Sequence, residues 1–324
     1  MARTIAPDPA TIAEAARRLE RGLLVAFPTE TVYGLGCDPA REAAVAEVFR
    51  LKGRPSDNPL IVHVLDAAMA RQVVSAWDDR AERLARVFWP GPLTIVLPRD
   101  ARISAAVAGG GDTVAVRAPD HPVARALLRA FGAPLAAPSA NRSGRISPTT
   151  AEHVAAEFSD VEDLPVLDGG PCRVGLESTV VDLTGAHPVI LRPGAVTAAD
   201  LEPILGPVAS PRLERQGSSP GTRASHYAPT TPAASVGESA LARALAGERD
   251  PVAVLARSGI AVVAPHRAFH LPPDDAGFAR ELYARLREAD MAGTARILIA
   301  LPDEEGGAWD AIHDRVRRAV APRG

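Results

Sequence analysis

The chain of 324 residues contains almost no lysine. Lysine and arginine together number 36, and Lys52 is the single lysine among them. An ammonium is a compact charge that a planar guanidinium cannot always replace beside a phosphate or carboxylate, so this lysine indicates a specific requirement. The competing interpretation is a chance survivor on a solvated helix end. Lys52 is therefore the first candidate catalytic residue.

Cysteines, aromatics and long apolar runs are also scarce. Two cysteines, Cys37 and Cys172, lie in Gly/Pro-rich surroundings without metal-ligand spacing, which argues against a disulfide framework and predicts a reduced, cytoplasmic compartment. Aromatic residues make up 4% of the chain, so the cores must consist of smaller aliphatic side chains. No apolar window approaches the length of a membrane span, and a net charge of −3 argues against a dominant nucleic-acid surface.

Hydrophobic periodicity predicts an α/β protein. We expect a catalytic domain at residues 1–205, an interdomain linker or lid at 206–235 that is rich in Pro, Ser and Gly, and a smaller α/β domain at 236–324. In the first domain, short apolar runs predict strands and amphipathic patterns predict helices, including one helix over 67–89. The closely spaced late strands indicate antiparallel as well as parallel pairing.

Polar residues concentrate in three loops beside the predicted strands. The segment PTETVYGLG, residues 28–36, directly follows a strand, where a sheet edge meets solvent and α/β proteins often bind ligands. The segment at 137–149 combines hydroxyls, an amide and exposed backbone N–H groups into a neutral cradle suited to phosphate. A third loop, at 168–182, precedes a strand. Their hydroxyl and amide side chains include Thr29, Thr31, Ser139, Asn141, Ser143, Ser147, Ser178 and Thr179.

Two further residues have structural as well as functional interpretations. His63 alternates with apolar residues in a predicted strand, which is also typical of a core histidine, and Arg117 can be a strand-end ion pair. The sequence has no HExxH or Cys/His cluster, no GxSxG and no Walker loop. What remains is a set of cations, hydroxyls and amides without an attacking side chain. Such a set fits nucleotidyl or phosphoryl transfer, in which positioning and charge neutralisation supply most of the catalysis.

At this point a family resemblance becomes specific. The chain resembles the Sua5/YrdC family, the threonylcarbamoyl-AMP synthases, in the order of PTETVYGLG, KGRPSDNPLIVHV, WPGPLTIVL, VAVRAPDHP, APSANRSG, DGGPCRVGLESTVVD and LRPG. A later HYAP, followed by ELYARLREAD and AIHDRVRRA, resembles the longer Sua5 form. The resemblance covers essentially the whole chain. It implies a YrdC-like twisted mixed sheet with flanking helices, and a smaller C-terminal Rossmann-like α/β domain.

The resemblance also implies a reaction. L-Threonine, bicarbonate or CO2, and ATP would give L-threonylcarbamoyladenylate and pyrophosphate, and other proteins would transfer the threonylcarbamoyl group to an adenosine of tRNA (the t6A modification). A threonine carbamate oxygen attacks the α-phosphate, so no protein nucleophile is needed. Mg2+ would arrive with ATP, and neither a protein-bound metal nor an organic cofactor is expected. Weak direct binding of tRNA is compatible with the resemblance.

Site residues are carried over by similarity. Lys52 and Arg54 are the candidate catalytic residues. The threonine side is expected to comprise Thr31, His63, Arg117, the backbone of Ala137, and Ser178. The ATP side is expected to comprise Lys52, Arg54, Asn58, Thr113, Ser139, Asn141, Ser147, Arg192, His226 and Tyr227. The linker departs from the family's pattern at residues 222–225, where SPGTRASHYAP replaces SPGMKYRHYAP. This chain therefore lacks the basic and aromatic side chains that the family's pattern has there, and any contribution of those side chains to a lid is lost.

Two alternative functions come from different classes of protein. YrdC-like domains inside hydrogenase maturation factors form carbamoyl-adenylate from carbamoyl phosphate, but those proteins carry a Cys-rich zinc-finger module that this chain lacks. A non-catalytic module that binds double-stranded RNA or tRNA is the second alternative, and the net negative charge and the full set of loops argue against it.

Overall fold

The computed structural model describes residues 2–209 and 226–322. Most of the predicted lid at 206–235, including the divergent residues 222–225, lies outside the described residues. The predicted domain boundaries stay a prediction. Below, the N-terminal domain means the elements up to Leu205, and the C-terminal domain means those from Ala233 onward.

Ten strands of the N-terminal domain form two mixed sheets. They are β1 (Arg3–Ile5), β2 (Val25–Phe27), β3 (Gly34–Gly36), β4 (Ile61–His63), β5 (Leu93–Pro98), β6 (Thr113–Arg117), β7 (Leu135–Ala137), β8 (Pro165–Leu167), β9 (Thr179–Asp182) and β10 (Val189–Arg192). The sheet orders are β1-β8-β2-β3 and β10-β9-β5-β6-β4-β7. In the larger sheet β4–β6 and β5–β9 pair in parallel, whereas β5–β6, β4–β7 and β9–β10 are antiparallel. The predicted mixed sheet is confirmed.

Seven helices flank these sheets in the described N-terminal domain. They are α1 (Pro9–Glu20), α2 (Glu42–Lys52), α3 (Ala67–Ala70), α4 (Asp79–Phe88), α5 (Pro122–Phe131), α6 (Ala151–Glu157) and α7 (Ala198–Leu205). The single helix predicted over 67–89 is wrong, because this stretch contains two helix starts. Asp66 accepts a hydrogen bond from the Met69 backbone, and Asp78 accepts from two backbone N–H groups of α4. Both aspartates act as N-caps and divide the apolar pattern into α3 and α4.

The C-terminal domain is a four-stranded parallel sheet with helices. Its elements are β11 (Ala233–Gly237), α8 (Leu241–Ala246), β12 (Ala253–Arg257), β13 (Arg267–Leu271), α9 (Asp275–Asp290), β14 (Ile297–Leu301) and α10 (Trp309–Ala319). The strand order is β11-β14-β12-β13, with every pair parallel. The short strands β11 and β13 are not recognisable from the sequence, because they carry few fully buried apolar residues. The α/β class is confirmed, and the Rossmann-like detail stays a prediction.

The two domains share an apolar core. Val32, Ile146 and Leu176, which belong to three motif loops of the N-terminal domain, pack in the same buried cluster as the interior of the C-terminal domain. Tyr227, just after the undescribed linker residues, belongs to that cluster too. The C-terminal domain is thus placed against the loops that carry the candidate site.

Candidate active site

A pocket lies where the carboxyl ends of β4 and β6 meet the motif loops. Its volume is about 520 Å³, which includes open solvent at the mouth of the pocket. The register of β4 places His63 beside Arg117 of β6, so two predicted site residues are neighbours across the sheet. Ten predicted site residues line the pocket: Thr31, Arg54, His63, Arg117, Ala137, Ser139, Ser178, Arg192, His226 and Tyr227. The structure therefore brings most of the predicted site into one cavity.

Five predicted ATP-side residues lie outside the lining of this pocket in the described structure. They are Lys52, Asn58, Thr113, Asn141 and Ser147. Three of these residues contact a lining residue: Lys52 contacts Ser139, Asn58 contacts Arg54, and Ser147 contacts Glu177. Thr113 begins β6 at the end opposite Arg117, about 13 Å away along the strand. The ATP-binding roles of all five residues stay predictions.

The expectation that residues 28–36 meet solvent is wrong. The side chains of Thr29, Glu30, Thr31 and Tyr33 are all at most 2% exposed. The Tyr33 backbone N–H donates to the Pro148 carbonyl at 2.9 Å, and Val32 joins the shared interdomain core. The neighbouring loop and the C-terminal domain therefore cover this motif and turn it into an inner wall of the pocket.

Arg117 is buried and held by Glu30. Its Nη2 lies 2.6 Å from Oε1 of Glu30, and its Nη1 donates to Oγ1 of Thr31 at 2.8 Å. The second Glu30 oxygen accepts from the backbone N–H of Asp120 at 3.0 Å. The ion-pair interpretation of Arg117 therefore holds, and the same side chain also faces the pocket. Because a guanidinium has five N–H donors, these contacts leave capacity for a substrate carboxylate.

His63 is a buried neutral imidazole. Desolvation, followed by the positive charge of Arg117, lowers its pKa from 6.5 to about 3. Its Nδ1 lies 3.2 Å from the Ile61 carbonyl, and its ring meets the Phe27 ring edge-on at 5.8 Å between centroids. His63 is thus a core histidine that also lines the pocket. At neutral pH it can act as a hydrogen-bonding group but not as a cation.

We expect the protein to lose stability in mild acid because of its buried histidines. Burial lowers the pKa values of both His63 and His226 to about 3. The unfolded chain therefore binds more protons than the native one between about pH 6.5 and 3, and stability falls as the pH drops through this window. Each of the two histidines should lower the free energy of unfolding by about 2 kcal/mol at pH 5 relative to pH 7. Urea unfolding of the full chain at both pH values measures the loss.

His63→Gln should reduce this difference between pH 7 and pH 5. The matched control is His270→Gln, because His270 is exposed on β13 and its replacement should leave both urea midpoints unchanged. An equal loss in acid for the unaltered chain and the His63 variant would contradict the explanation.

Lys52 is buried at the last turn of α2 and points to backbone. Its Nζ donates to the carbonyls of Ser139, at 2.6 Å, and Asn141. Burial lowers its pKa well below the ordinary value, the nearby Arg54 acts in the same direction, and Glu157 opposes them. The interpretation of Lys52 as a survivor on a solvated helix end is wrong. The ammonium instead fixes the loop at 137–149 to α2.

Two arginines of the predicted ATP side are also anchored by backbone oxygens. Arg54 donates to the Asn58 carbonyl at 2.9 Å and to its side-chain oxygen at 2.6 Å. Arg192 donates through Nε and Nη2 to the Ser178 carbonyl, at 3.0 and 2.8 Å, and through Nη2 to Ser178 Oγ at 3.0 Å. The Ser178 hydroxyl also lies 2.7 Å from Thr94 Oγ1. Preorganised guanidinium groups of this kind suit the phosphates of a nucleotide.

Sequence reasoning missed the carboxylate of Glu177 and two of its partners, Arg315 and Tyr283. Glu177 lines the pocket, and Ser147 Oγ donates to its Oε1 at 2.6 Å. From the C-terminal domain, Arg315 Nε donates to Oε2 at 2.8 Å and the Tyr283 hydroxyl donates to the same atom at 3.0 Å. Glu177, Tyr283 and Arg315 each lie in a motif of the resemblance, yet nothing in the local patterns indicates that they meet.

Within residues 2–209 and 226–322, no group of three or more His, Cys, Asp and Glu side chains is arranged to hold a metal ion. None of the helices described here is both long and apolar enough to span a bilayer.

Comparison with known proteins shows two matching families. Residues 17–194 match the Sua5, YciO and YrdC family described as "Telomere recombination". Residues 196–321 match the family described as "Threonylcarbamoyl-AMP synthase, C-terminal domain". Together the two matches account for nearly the whole chain.

Individual relatives agree with these families. The threonylcarbamoyl-AMP synthase of Pyrococcus abyssi is 39% identical over 329 residues, covering 95% of this chain and 94% of the relative. That of Bacillus subtilis is 47% identical over 232 residues, covering 70% of this chain and 66% of the relative. The crystal structure of P. abyssi Sua5 complexed with L-threonine has a TM-score of 0.89 at 37% identity, covering 99% of this chain and 97% of that one.

The fold, the cation-lined pocket and these relatives define an α/β enzyme of the nucleotidyltransferase class. The chain belongs to the Sua5/YrdC family, and it has both domains of the Sua5 form. The family resemblance read from the motifs is confirmed.

Proposed function

We propose that this enzyme makes L-threonylcarbamoyl-AMP and pyrophosphate from L-threonine, bicarbonate or CO2, and ATP. Three observations support the proposal: the family, the activity named for relatives that align along most of the chain, and a pocket lined by ten of the residues that the resemblance implies. The observation that carries most weight is the juxtaposition of His63 and Arg117 at the ends of two paired strands, with Thr31 hydrogen-bonded to the arginine.

Threonine would bind at the β4 and β6 end of the pocket. Arg117 would pair with the substrate carboxylate, while Glu30 on its other side limits the excess of positive charge. The threonine hydroxyl would lie among Thr31, neutral His63 and Ser178, which all can hydrogen-bond to it. The backbone of Ala137, paired with Ile61 in the sheet, would close the remaining side.

ATP would lie on the side lined by Arg54, Ser139 and Arg192. The arginines would neutralise the charge that develops at the α-phosphate as pyrophosphate leaves. His226 is buried beside them, and its Nδ1 has no hydrogen-bond partner among the described residues, which makes it a group available to the nucleotide. Mg2+ would enter as part of the MgATP substrate, since the carboxylates of Glu30 and Glu177 are already paired with arginines.

Lys52 has a different place in this proposal from the one expected from the sequence. Its ammonium donates hydrogen bonds to the carbonyls of Ser139 and Asn141, so Lys52 would act by holding the loop at 137–149 in position. We therefore assign Lys52 as a positioning residue and leave Arg54 as the catalytic cation of the pair.

The chemistry needs alignment more than it needs a reactive side chain. The threonine amine adds to CO2, and an oxygen of the resulting carbamate attacks the α-phosphorus as the bond to pyrophosphate breaks. Aligned reactants can save about 7–11 kcal/mol of such a barrier. The labile product would pass to separate enzymes that modify tRNA. A cytoplasmic location belongs to this proposal, because both cysteines are free thiols.

Pyrophosphate release tests the proposal directly. The purified full chain should release pyrophosphate from ATP only when both threonine and bicarbonate are present. Release that needs carbamoyl phosphate instead would indicate carbamoyl-adenylate chemistry. Binding of tRNA without any ATP turnover would favour the RNA-binding alternative.

We expect amino-acid selection to depend on the substrate hydroxyl. A site that hydrogen-bonds a hydroxyl rejects an analogue that lacks it more strongly than a pocket rejects one that lacks a methyl group. Serine should therefore be a poor substrate and valine a worse one, by about 10⁴-fold or more in kcat/KM. The same pyrophosphate assay with each amino acid measures the order, and equal turnover of valine and threonine would contradict the threonine site.

A further inference from the structure

Side chains of both domains meet at Glu177. This carboxylate borders the pocket and is 6% exposed. Within its own domain it accepts a hydrogen bond from Ser147 Oγ at 2.6 Å. The C-terminal domain supplies Arg315, whose Nε donates to Oε2 at 2.8 Å, and Tyr283, whose hydroxyl donates to the same oxygen at 3.0 Å. A pocket carboxylate is thus held by two side chains of the other domain.

Arg315 also contacts two other segments that border the pocket. Its Nη2 donates to the Pro193 carbonyl at 2.9 Å, next to Arg192. Its guanidinium lies over the Tyr227 ring, 5.4 Å from the centroid. Tyr283 stacks on that same ring at 5.6 Å between centroids and an interplanar angle of 29°. Three pocket-bordering segments therefore converge on one buried arginine and one buried tyrosine of the C-terminal domain.

The contacts continue from Glu177 into the nucleotide side of the pocket. The next residue, Ser178, offers its carbonyl to Nε and Nη2 of Arg192. A shift of the Glu177 segment would therefore move one of the groups that orient the Arg192 guanidinium. The threonine-side pair of Glu30 and Arg117 is anchored separately, through Thr31 and the Asp120 backbone.

A role in holding the two domains together does not by itself account for this arrangement. Burying charges costs desolvation free energy, and well-packed apolar residues often hold a buried interface as well or better. The shared apolar core around Val32, Ile146 and Leu176 already joins the two domains. The ionic contacts differ from that core because they end on atoms that line the pocket.

We propose that Arg315 and Tyr283 are positioning residues of the active site, through which the C-terminal domain sets the geometry of Glu177, Arg192 and Tyr227 for the nucleotide. This inference rests on the proposed function, because it assigns Arg192 and Tyr227 to ATP. Its consequence is specific: loss of either contact weakens ATP binding far more than threonine binding, because Ser178 is shared by both sides whereas Arg117 and Thr31 are held separately.

Two variants and a matched control test the inference in the full chain. Tyr283→Phe removes one hydroxyl and keeps the ring that stacks on Tyr227. Arg315→Met removes the guanidinium. Arg317→Met is the control, because Arg317 lies on the same helix and pairs with Asp314 as Arg315 does, but its side chain is 63% exposed and has no contact with Glu177. Steady-state kinetics, with calorimetric binding of ATP, provides the readouts.

The KM for ATP and its Kd should rise about tenfold or more in Tyr283→Phe and further in Arg315→Met, while the KM for threonine changes less than about threefold. Arg315→Lys should recover part of the ATP affinity. Arg317→Met should match the unaltered chain. These outcomes distinguish positioning from a purely structural role, which would change both KM values and the urea midpoint in parallel.

ATP affinities of Tyr283→Phe and Arg315→Met that match the Arg317→Met control would overturn the inference. So would equal losses for ATP and threonine. If Arg315→Met does not fold, the Tyr283→Phe result decides, because that change leaves the ring packing in place. Failure of the proposed function has a different signature: the unaltered chain itself would release no pyrophosphate with threonine, bicarbonate and ATP.

Discussion

Lys52→Arg and Lys52→Met should each lose most threonine- and bicarbonate-dependent pyrophosphate release, although the first keeps the charge. The site of Lys52 is 2% exposed, so a guanidinium must displace neighbours, at a cost of about 1–3 kcal/mol. Methionine instead leaves the carbonyls of Ser139 and Asn141 without their donor, and each unpaired buried acceptor costs about 1–3 kcal/mol. Both changes weaken the attachment of the loop at 137–149 to α2, although the Ser143 backbone N–H still donates to the Lys52 carbonyl. Assays of pyrophosphate release and of urea unfolding measure the two effects.

Arg50→Met is the control for the Lys52 variants. Arg50 lies on the same helix, pairs with Glu47, and has a side chain that is 70% exposed, so its loss should change stability by less than about 1 kcal/mol. Turnover of the Lys52→Arg variant near that of the unaltered chain would show that any cation at this position suffices. The rarity of lysine in the chain would then carry no information about function.

Arg117→Met should abolish detectable threonine saturation and destabilise the protein by about 3–5 kcal/mol. The destabilisation arises because Glu30, which is 1% exposed, would keep a buried charge without its partner. The double variant Glu30→Gln with Arg117→Met removes both charges, so it should regain much of the stability. It should nevertheless stay inactive, because no cation remains for the threonine carboxylate. Urea unfolding and threonine titration of both variants separate the two effects.

Arg173→Met is the matched control for this pair. Arg173 contacts Asp120 at 2.7 Å, but both side chains are largely exposed, so the expected loss is about 0–1 kcal/mol with unchanged threonine kinetics. A double variant with a threonine KM near that of the unaltered chain would contradict the assignment of Arg117 to the carboxylate. Arg117 would then be an ion-pair residue alone.

The expected effect of replacing Tyr227 differs between the sequence and the structure. From the sequence, Tyr227→Ala is expected to weaken ATP binding and leave the fold intact. In the structure the ring is buried, with Tyr283 stacked on it and Arg315 over it, so truncation also removes interdomain packing. Large aromatic truncations in a core cost about 3–5 kcal/mol, so Tyr227→Ala should lower the urea midpoint as well as weaken ATP binding.

Individual residues show how much of the site can be predicted from the sequence. The isolation of Lys52 predicts a specific requirement, which stays a prediction; the sequence does not indicate where the side chain points, and the ammonium contacts backbone carbonyls rather than the pocket. The alternation around His63 predicted a strand and left two interpretations open. The structure shows a core histidine that also lines the pocket, because one face of a strand can be core and cavity wall together, and its role toward threonine stays a prediction. The run at 67–89 misled because its apolar periodicity continues across Asp78, the aspartate inside it that caps a second helix.

By itself the sequence determined the α/β class, the mixed pairing of the first domain, the family, and most of the residues that line the pocket. These conclusions depend on periodicity and on motifs, which are local and can be read along the chain. The tertiary structure alone decided which charges meet: Arg117 with Glu30, and Arg315 with Glu177 across 138 positions. Such pairings depend on how sheets and domains pack. A buried charge without a partner is costly, and the packing decides which distant residue is buried beside it.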